Sequence, residues 1–150
     1  MNKYKLELLR DGIGGVYVGF KVDESDVAKY LDQLNKMIGQ DDYRLVTKNQ
    51  EIRDGLEFHI TILTFKEFQD IGYNKFYNFE GKLCDCVLVG LGQVTSKNES
   101  TFFVVVESEE AQEVRNFFSL PIRDFHVTLG FTKKDIYNIH KDRSSLIQKC

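Results

Sequence analysis

Two segments of this chain repeat one pattern, and that pattern restricts the fold more than any other feature. Phe58-His59-Ile60-Thr61 and Phe125-His126-Val127-Thr128 each set His-x-Thr in a run of β-branched and aromatic residues. Such runs favour strands. Side chains alternate along a strand, so His and Thr two apart project from one side, about 7 Å apart. The predicted front face of the first strand carries His59, Thr61 and Leu63, and its back face Phe58, Ile60 and Ile62. The second carries His126, Thr128 and Gly130 in front, with Phe125, Val127, Leu129 and Phe131 behind. Each strand therefore needs an apolar layer behind it and open space in front. Gly130, with no side chain, is expected to leave room for a ligand there.

The surrounding sequence repeats more loosely. Val16, Val18, Phe20 and Val22 alternate with Tyr17, Gly19 and Lys21, the pattern of a half-buried strand. A helix is predicted next, starting at Asp23–Ser25, carrying Val27, Tyr30, Leu31, Leu34, Met37 and Ile38 at helical spacing, and ending at Gly39. Residues 43–47 read as a short strand, and 56–65 as the first His-x-Thr strand. In the second half, 84–94 and 101–107 read as antiparallel strands joined by the polar turn 96–100. Ser108 is expected to cap a helix through Phe118, with Glu109 and Glu110 in its first turn and Pro121 stopping it. Short helices are expected in 66–80 and in the tail from Lys133.

Strand, helix and motif strand thus occur twice, over 16–65 and 101–132. The expected fold class is α+β: a duplicated, bilobal single domain over 1–150. Its two antiparallel-rich sheets face a central cleft, with helices on the outer faces. The lobes are expected at about 1–80 and 81–150, allowing strand exchange between them.

The chain has 150 residues, 42% of them hydrophobic, with twelve Phe and seven Tyr. That is enough to bury a substantial core. The formal net charge of −3 lacks the basic surplus of proteins that grip long nucleic acid through its backbone. A small nucleotide is favoured over a long duplex. Cys84, Cys86 and Cys150 show no metal-ligand spacing and read as free thiols of a reducing compartment. Residues 1–7 contain no signal core and no apolar run reaches membrane-spanning length, so a soluble, cytoplasmic protein without a membrane partner is expected.

Phosphodiester cleavage needs a base for the attacking oxygen, an acid for the leaving oxygen and donors for the phosphoryl oxygens. Histidine can serve as either acid or base near neutrality. Hence His59 and His126 are the expected acid–base pair, and the hydroxyls of Thr61 and Thr128 the expected donors. No metal cluster is visible and no cofactor is expected. Tyr17 could stack on a base and Lys21 could meet phosphate, as substrate-binding residues. His140, outside any such pattern, reads as a solvated tail residue. Gly14-Gly15 reads as a flexible lead into the first strand.

At His59-Ile60-Thr61 and His126-Val127-Thr128, 67 positions apart, the chain resembles the 2H phosphoesterase superfamily over residues 16–132. That superfamily carries two H-x-T/S motifs on strands of a duplicated α+β fold. Its relatives include LigT-like RNA phosphoesterases and viral anti-CBASS nucleases that destroy cyclic oligonucleotide signals. The resemblance implies a metal-independent phosphodiesterase acting on small ribonucleotides, with cyclic oligonucleotides placed ahead of RNA ends bearing a 2′,3′-cyclic phosphate. If the protein is viral, its place is the host cytoplasm. Many relatives follow the Thr with Leu; here Leu129 does, whereas Ile62 and then Leu63 follow Thr61. A non-catalytic module sequestering the same ligand, a protein-interaction domain, and His and Thr satisfying strand-edge hydrogen bonds are the alternatives. The residues leave open which histidine is base, which nucleotide is substrate, and the oligomeric state.

Overall fold

Seven strands and five α-helices are built from residues 1–55 and 57–147, the part described by the computed structural model. In order they are β1 (Asn2–Lys5), β2 (Glu7–Arg10), β3 (Val16–Val22), α1 (Glu24–Ile38), α2 (Gln40–Asp54) and β4 (Phe58–Leu63). There follow α3 (Phe65–Ile71), α4 (Tyr73–Phe76), β5 (Leu83–Ser96), β6 (Glu99–Glu107), α5 (Glu109–Phe117) and β7 (Phe125–Phe131). Short 3-10 turns lie at Tyr77–Phe79 and Arg143–Ser145. The architecture is α+β. Leu56, expected at the start of the first motif strand, and Cys150 fall outside the described residues. Cys84 and Cys86 are buried free thiols.

Most elements follow local signals. In α1, Val27, Tyr30, Leu31 and Leu34 form the buried stripe. Gly39, at φ 89°, ends α1 and begins the next helix. Ser108 caps α5, its hydroxyl accepting from the Ala111 N–H at 3.1 Å. Thr64 and Glu67 form a reciprocal capping box that starts α3 immediately after the first motif strand.

Several expectations are corrected. Residues 43–47 lie inside α2, not in a strand: Asp41 and Asp42 open that helix, and Val46 and Gln50 point inward. Packing overrode the β preference of Tyr43, Val46 and Thr47. The turn between β5 and β6 is tighter than 96–100, because Ser96 pairs with Glu99. Only Lys97 and Asn98 remain, at φ 51° and 66°, the two-residue turn that matches strand twist. Helix α5 ends at Phe117 with Phe118 as its cap, close to the expected end. The chain already leaves the helix at Ser119, in the left-handed region at φ 59°, ahead of Pro121. Among the described residues the tail from Lys133 is irregular apart from one 3-10 turn. Strands β1 and β2 carried too short a pattern to be anticipated.

The strands form two antiparallel sheets, ordered β1-β5-β6-β7 and β2-β3-β4. Leu6, fully buried, is the single residue between β1 and β2, so the chain steps from one sheet to the other there. At the opposite edges the motif strands β4 and β7 lie against each other. The helices cross over: α1 and α2, from the first half, cover the four-stranded sheet, and α5 packs on β4 and β5. One continuous core results, joining Val18, Phe20 and Ile60 to Val104, Val106 and Val127. A second, smaller cluster of Val94, Phe103, Val105 and Ile136 lies where the tail folds over the four-stranded sheet.

Both motif strands bulge one residue after their threonine. Gly19 pairs with Thr61 and Val18 with Leu63, leaving Ile62 extra. Phe103 pairs with Thr128 and Phe102 with Gly130, leaving Leu129 extra. A bulge breaks the alternation of faces. Leu63 and Gly130 therefore turn away from the His–Thr face, contrary to strict alternation. Gly130 makes room for a helix and not for a ligand: a Cβ there would come within 2.7 Å of the Val46 carbonyl oxygen. Gly130→Ala is accordingly expected to push α2 away and cost about 1–3 kcal/mol, measured by denaturant unfolding.

Candidate active site

Six residues singled out in the sequence, His59, Thr61, His126, Thr128, Tyr17 and Lys21, line one cleft of about 1200 Å³. It opens along the seam where β4 meets β7, and residues of α2, α3 and α5 contribute to its walls. The bulges leave each His and Thr on the cleft side while the following residue turns into the core.

The two histidines sit in different surroundings. His126 Nδ1 lies 3.0 Å from the Asp124 carbonyl oxygen. A carbonyl only accepts, so in the neutral ring Nδ1 holds the proton and Nε2 keeps its lone pair. Phe103 packs edge-on against this ring, with centroids 5.8 Å apart. Burial lowers the His126 pKa below its ordinary value, and the Lys141 ammonium lowers it further. His59 packs edge-on against Tyr17 at 5.5 Å and faces Lys21 across the β3–β4 pair. Burial lowers its pKa too, but the carboxylates of Asp54 and Glu57 pull the other way. Burial pushes the Tyr17 phenol up to about 12, so it stays neutral.

Sequence reasoning missed the charged frame around these groups. Asp135, almost fully buried, accepts from Lys141 Nζ at 2.9 Å and Arg53 Nη1 at 2.6 Å. Arg53 also binds Asp54 through Nε and Nη2, at 2.8 and 2.6 Å. This chain of charges ties α2 to the tail and holds Lys141 beside His126. Arg115 reaches the cleft wall from α5. It grips both oxygens of Glu67 at 2.8 and 3.0 Å and donates to the carbonyls of Ile62 and Pro121, each at 2.8 Å. One signal for Arg115 was available: with Ala111 and Val114 it occupies the buried stripe of α5, where a charge needs partners. Lys141 and Asp135 gave none, because the tail is irregular.

His140 lies outside the cleft lining, its side chain 85% exposed, with Nδ1 2.7 Å from Asp124 Oδ2. That hydrogen bond raises its pKa. Ligand-type atoms of Asp124, His140 and Asp142 lie within 4.8 Å of one another. They are already engaged: Asp124 Oδ2 by His140 and the Lys141 N–H, Asp142 Oδ1 by Ser144. The group reads as a hydrogen-bonded loop anchor behind His126.

Two strand-borne His–Thr pairs over one cleft of a two-sheet α+β fold define a two-histidine phosphoesterase architecture. The chain belongs to that family: the model of the Swiss Army Knife, 2H phosphoesterase domain matches residues 16–137. No curated protein and no solved structure matches the chain. Among the described residues no helix is long and apolar enough to cross a membrane.

The electrostatics yield a titration order. By NMR, the His59 and His126 rings are expected to protonate below the unperturbed value near 6.5, and His140 above it. The unfolded chain then binds more protons than the buried rings do, so their contribution is a stability lost as pH falls below about 6.5. His140 acts oppositely, its contribution present below that value and lost as pH rises through its raised pKa. Lys141→Met should raise the His126 midpoint, because it removes a cation and frees part of Asp135. An unchanged midpoint would refute this account of the ring.

Proposed function

We propose that the protein cleaves phosphodiester bonds of small ribonucleotides by two-histidine acid–base catalysis, with cyclic oligonucleotides the preferred substrate. Membership of the 2H family supports phosphodiester hydrolysis in general. The observation that carries the finer reading is that both His-x-Thr pairs line the same cleft.

In this reading His126 is the base, because its Nε2 lone pair is available and the neighbouring Lys141 opposes its protonation. His59 is the acid. Burial and Arg53 oppose its charged form, Asp54 and Glu57 offset part of that, and an arriving phosphate anion favours the charged form further. His126 Nε2 takes the proton of a ribose 2′-hydroxyl or of water as that oxygen bonds to phosphorus. The bond to the leaving oxygen breaks as His59 gives that oxygen its proton. Thr61 and Thr128 hydroxyls donate to the non-bridging oxygens, where charge grows. Every one of these roles is filled by a side chain, so no metal ion is required.

Two features support a ligand larger than one nucleotide. The cleft, at about 1200 Å³, lies just above the range of about 300–1,000 Å³ usual for small-ligand sites. Its walls also present exposed apolar side chains on different segments, Phe65 on α3, Ile122 before β7 and Tyr137 in the tail. Such surfaces suit stacking of more than one base. A substrate of this kind fits the anti-CBASS-like role of destroying cyclic oligonucleotide signals.

The test is a substrate panel read by mass spectrometry: cyclic di- and trinucleotides, RNA ending in a 2′,3′-cyclic phosphate, and 2′-5′ oligoadenylate. His59→Ala and His126→Ala should each reduce turnover by about 10² or more, and Thr61→Val and Thr128→Val by about 10². Chelator should leave the rate unchanged. Cleavage that survives the double histidine substitution would sink the mechanism. Stoichiometric capture without product would make the protein a sequestering module.

A further inference from the structure

Four arginines line the cleft: Arg53 and Arg115 are neutralised in place, and Arg10, exposed on β2, donates to the Gly14 carbonyl at 3.4 Å. Arg53 holds Asp54 and Asp135, and Arg115 holds Glu67. Arg123 makes no ion pair among the described residues. Its Nε is also the one buried side-chain nitrogen or oxygen, among those residues, without a hydrogen-bond partner. Leaving a buried donor of a charged group unpaired is costly, and proteins seldom tolerate it without a reason.

The main chain that carries this side chain is not loosely placed. Gln112 on α5 clamps its main chain from both sides. The Gln112 Nε2 donates to the Arg123 carbonyl at 2.7 Å, and the Arg123 N–H donates to Gln112 Oε1 at 3.2 Å. The fold thus holds a guanidinium without a protein counter-ion at the cleft wall, three residues ahead of His126. The charges that act on it are those of Arg115, which opposes its own, and of Glu67 and Asp124, which favour it. Glu67 is committed to Arg115 through both oxygens, and Asp124 Oδ2 to His140 and the Lys141 N–H. A planar guanidinium in this position is well suited to a phosphate.

The His–Thr pairs already supply the donors for one phosphorus atom. We infer that Arg123 receives a second, non-scissile phosphate, so that the site selects ribonucleotides carrying at least two phosphates. This rests on the active-site reading above and narrows its substrate class. Arg123 acts as a specificity residue, and Gln112 as the residue that positions it.

The test measures binding without turnover, by calorimetry with adenosine 3′,5′-bisphosphate and adenosine 3′-monophosphate. The natural protein should bind the bisphosphate about tenfold more tightly or better, as one charge-assisted contact allows. Arg123→Gln should collapse that ratio to about one, Arg123→Lys should keep part of it, and Gln112→Ala should lower it. Because an uncompensated buried charge is removed, Arg123→Gln should melt no lower than the natural protein. Should that variant fail to fold, the Arg123→Lys ratio decides. A natural protein that does not distinguish the ligands, a ratio untouched in the variants, or equal weakening of both ligands would overturn the inference. Cleavage surviving loss of both histidines would instead defeat the catalytic reading while leaving these ratios measurable.

Discussion

The Arg115 guanidinium joins parts of the molecule that are far apart in sequence. Bulging leaves Ile62, just past Thr61, out of the strand pairing, and its carbonyl is taken by Arg115 from the other half of the chain. The same guanidinium holds Glu67, whose carboxylate also accepts from the Thr64 N–H and so begins α3. A third contact, to the Pro121 carbonyl, fixes the segment that leads into β7. A buried charge is tolerable only when its donors are satisfied. Here the bonds that satisfy it run between the two motif strands' surroundings. That coupling sets where the first His–Thr pair stands relative to the second.

A similar brace runs the other way. Asn49 on α2 donates to the carbonyls of Phe131 and Thr132 at 2.9 and 3.0 Å, gripping the end of β7. Val46 on the same helix closes over Gly130. Each motif strand is therefore held partly by a helix from the opposite half. Together with the step between sheets at Leu6, this makes one core out of a duplicated pattern. The repeated bulges have a functional consequence as well. They end the cleft face immediately after each threonine and send the next side chains inward, so neither pair is continued by an apolar residue in the cleft.

The electrostatics of the cleft do not follow from overall composition. The chain carries a net charge of −3, yet six cations, Arg10, Lys21, Arg53, Arg115, Arg123 and Lys141, meet five carboxylates on a single concave surface. Arg53, Arg115 and Lys141 are matched by Asp54, Asp135 or Glu67, and the matching differentiates the histidines. His126 faces Lys141, whereas His59 feels Asp54 and Glu57. Two imidazoles of identical intrinsic chemistry thereby acquire different proton affinities, which is the condition for dividing acid from base.

Local sequence determined a good deal here. Alternation at Val16–Val22 and in the motif strands, the helical stripe from Val27 to Leu34 and the Ser108 cap all act over a few residues, and each was legible. So were the six side chains that meet in the cleft, because a period of two places His and Thr on one face whatever lies beyond. Tertiary structure decided what depends on distant partners. Tyr43, Val46 and Thr47 went into a helix because a sheet needed covering, and Gly130 turned from the cleft because of a bulge one residue earlier. Arg123 was left without a counter-ion because Glu67 went to Arg115. Packing and charge pairing are settled between segments tens of residues apart, and no short-range period records them.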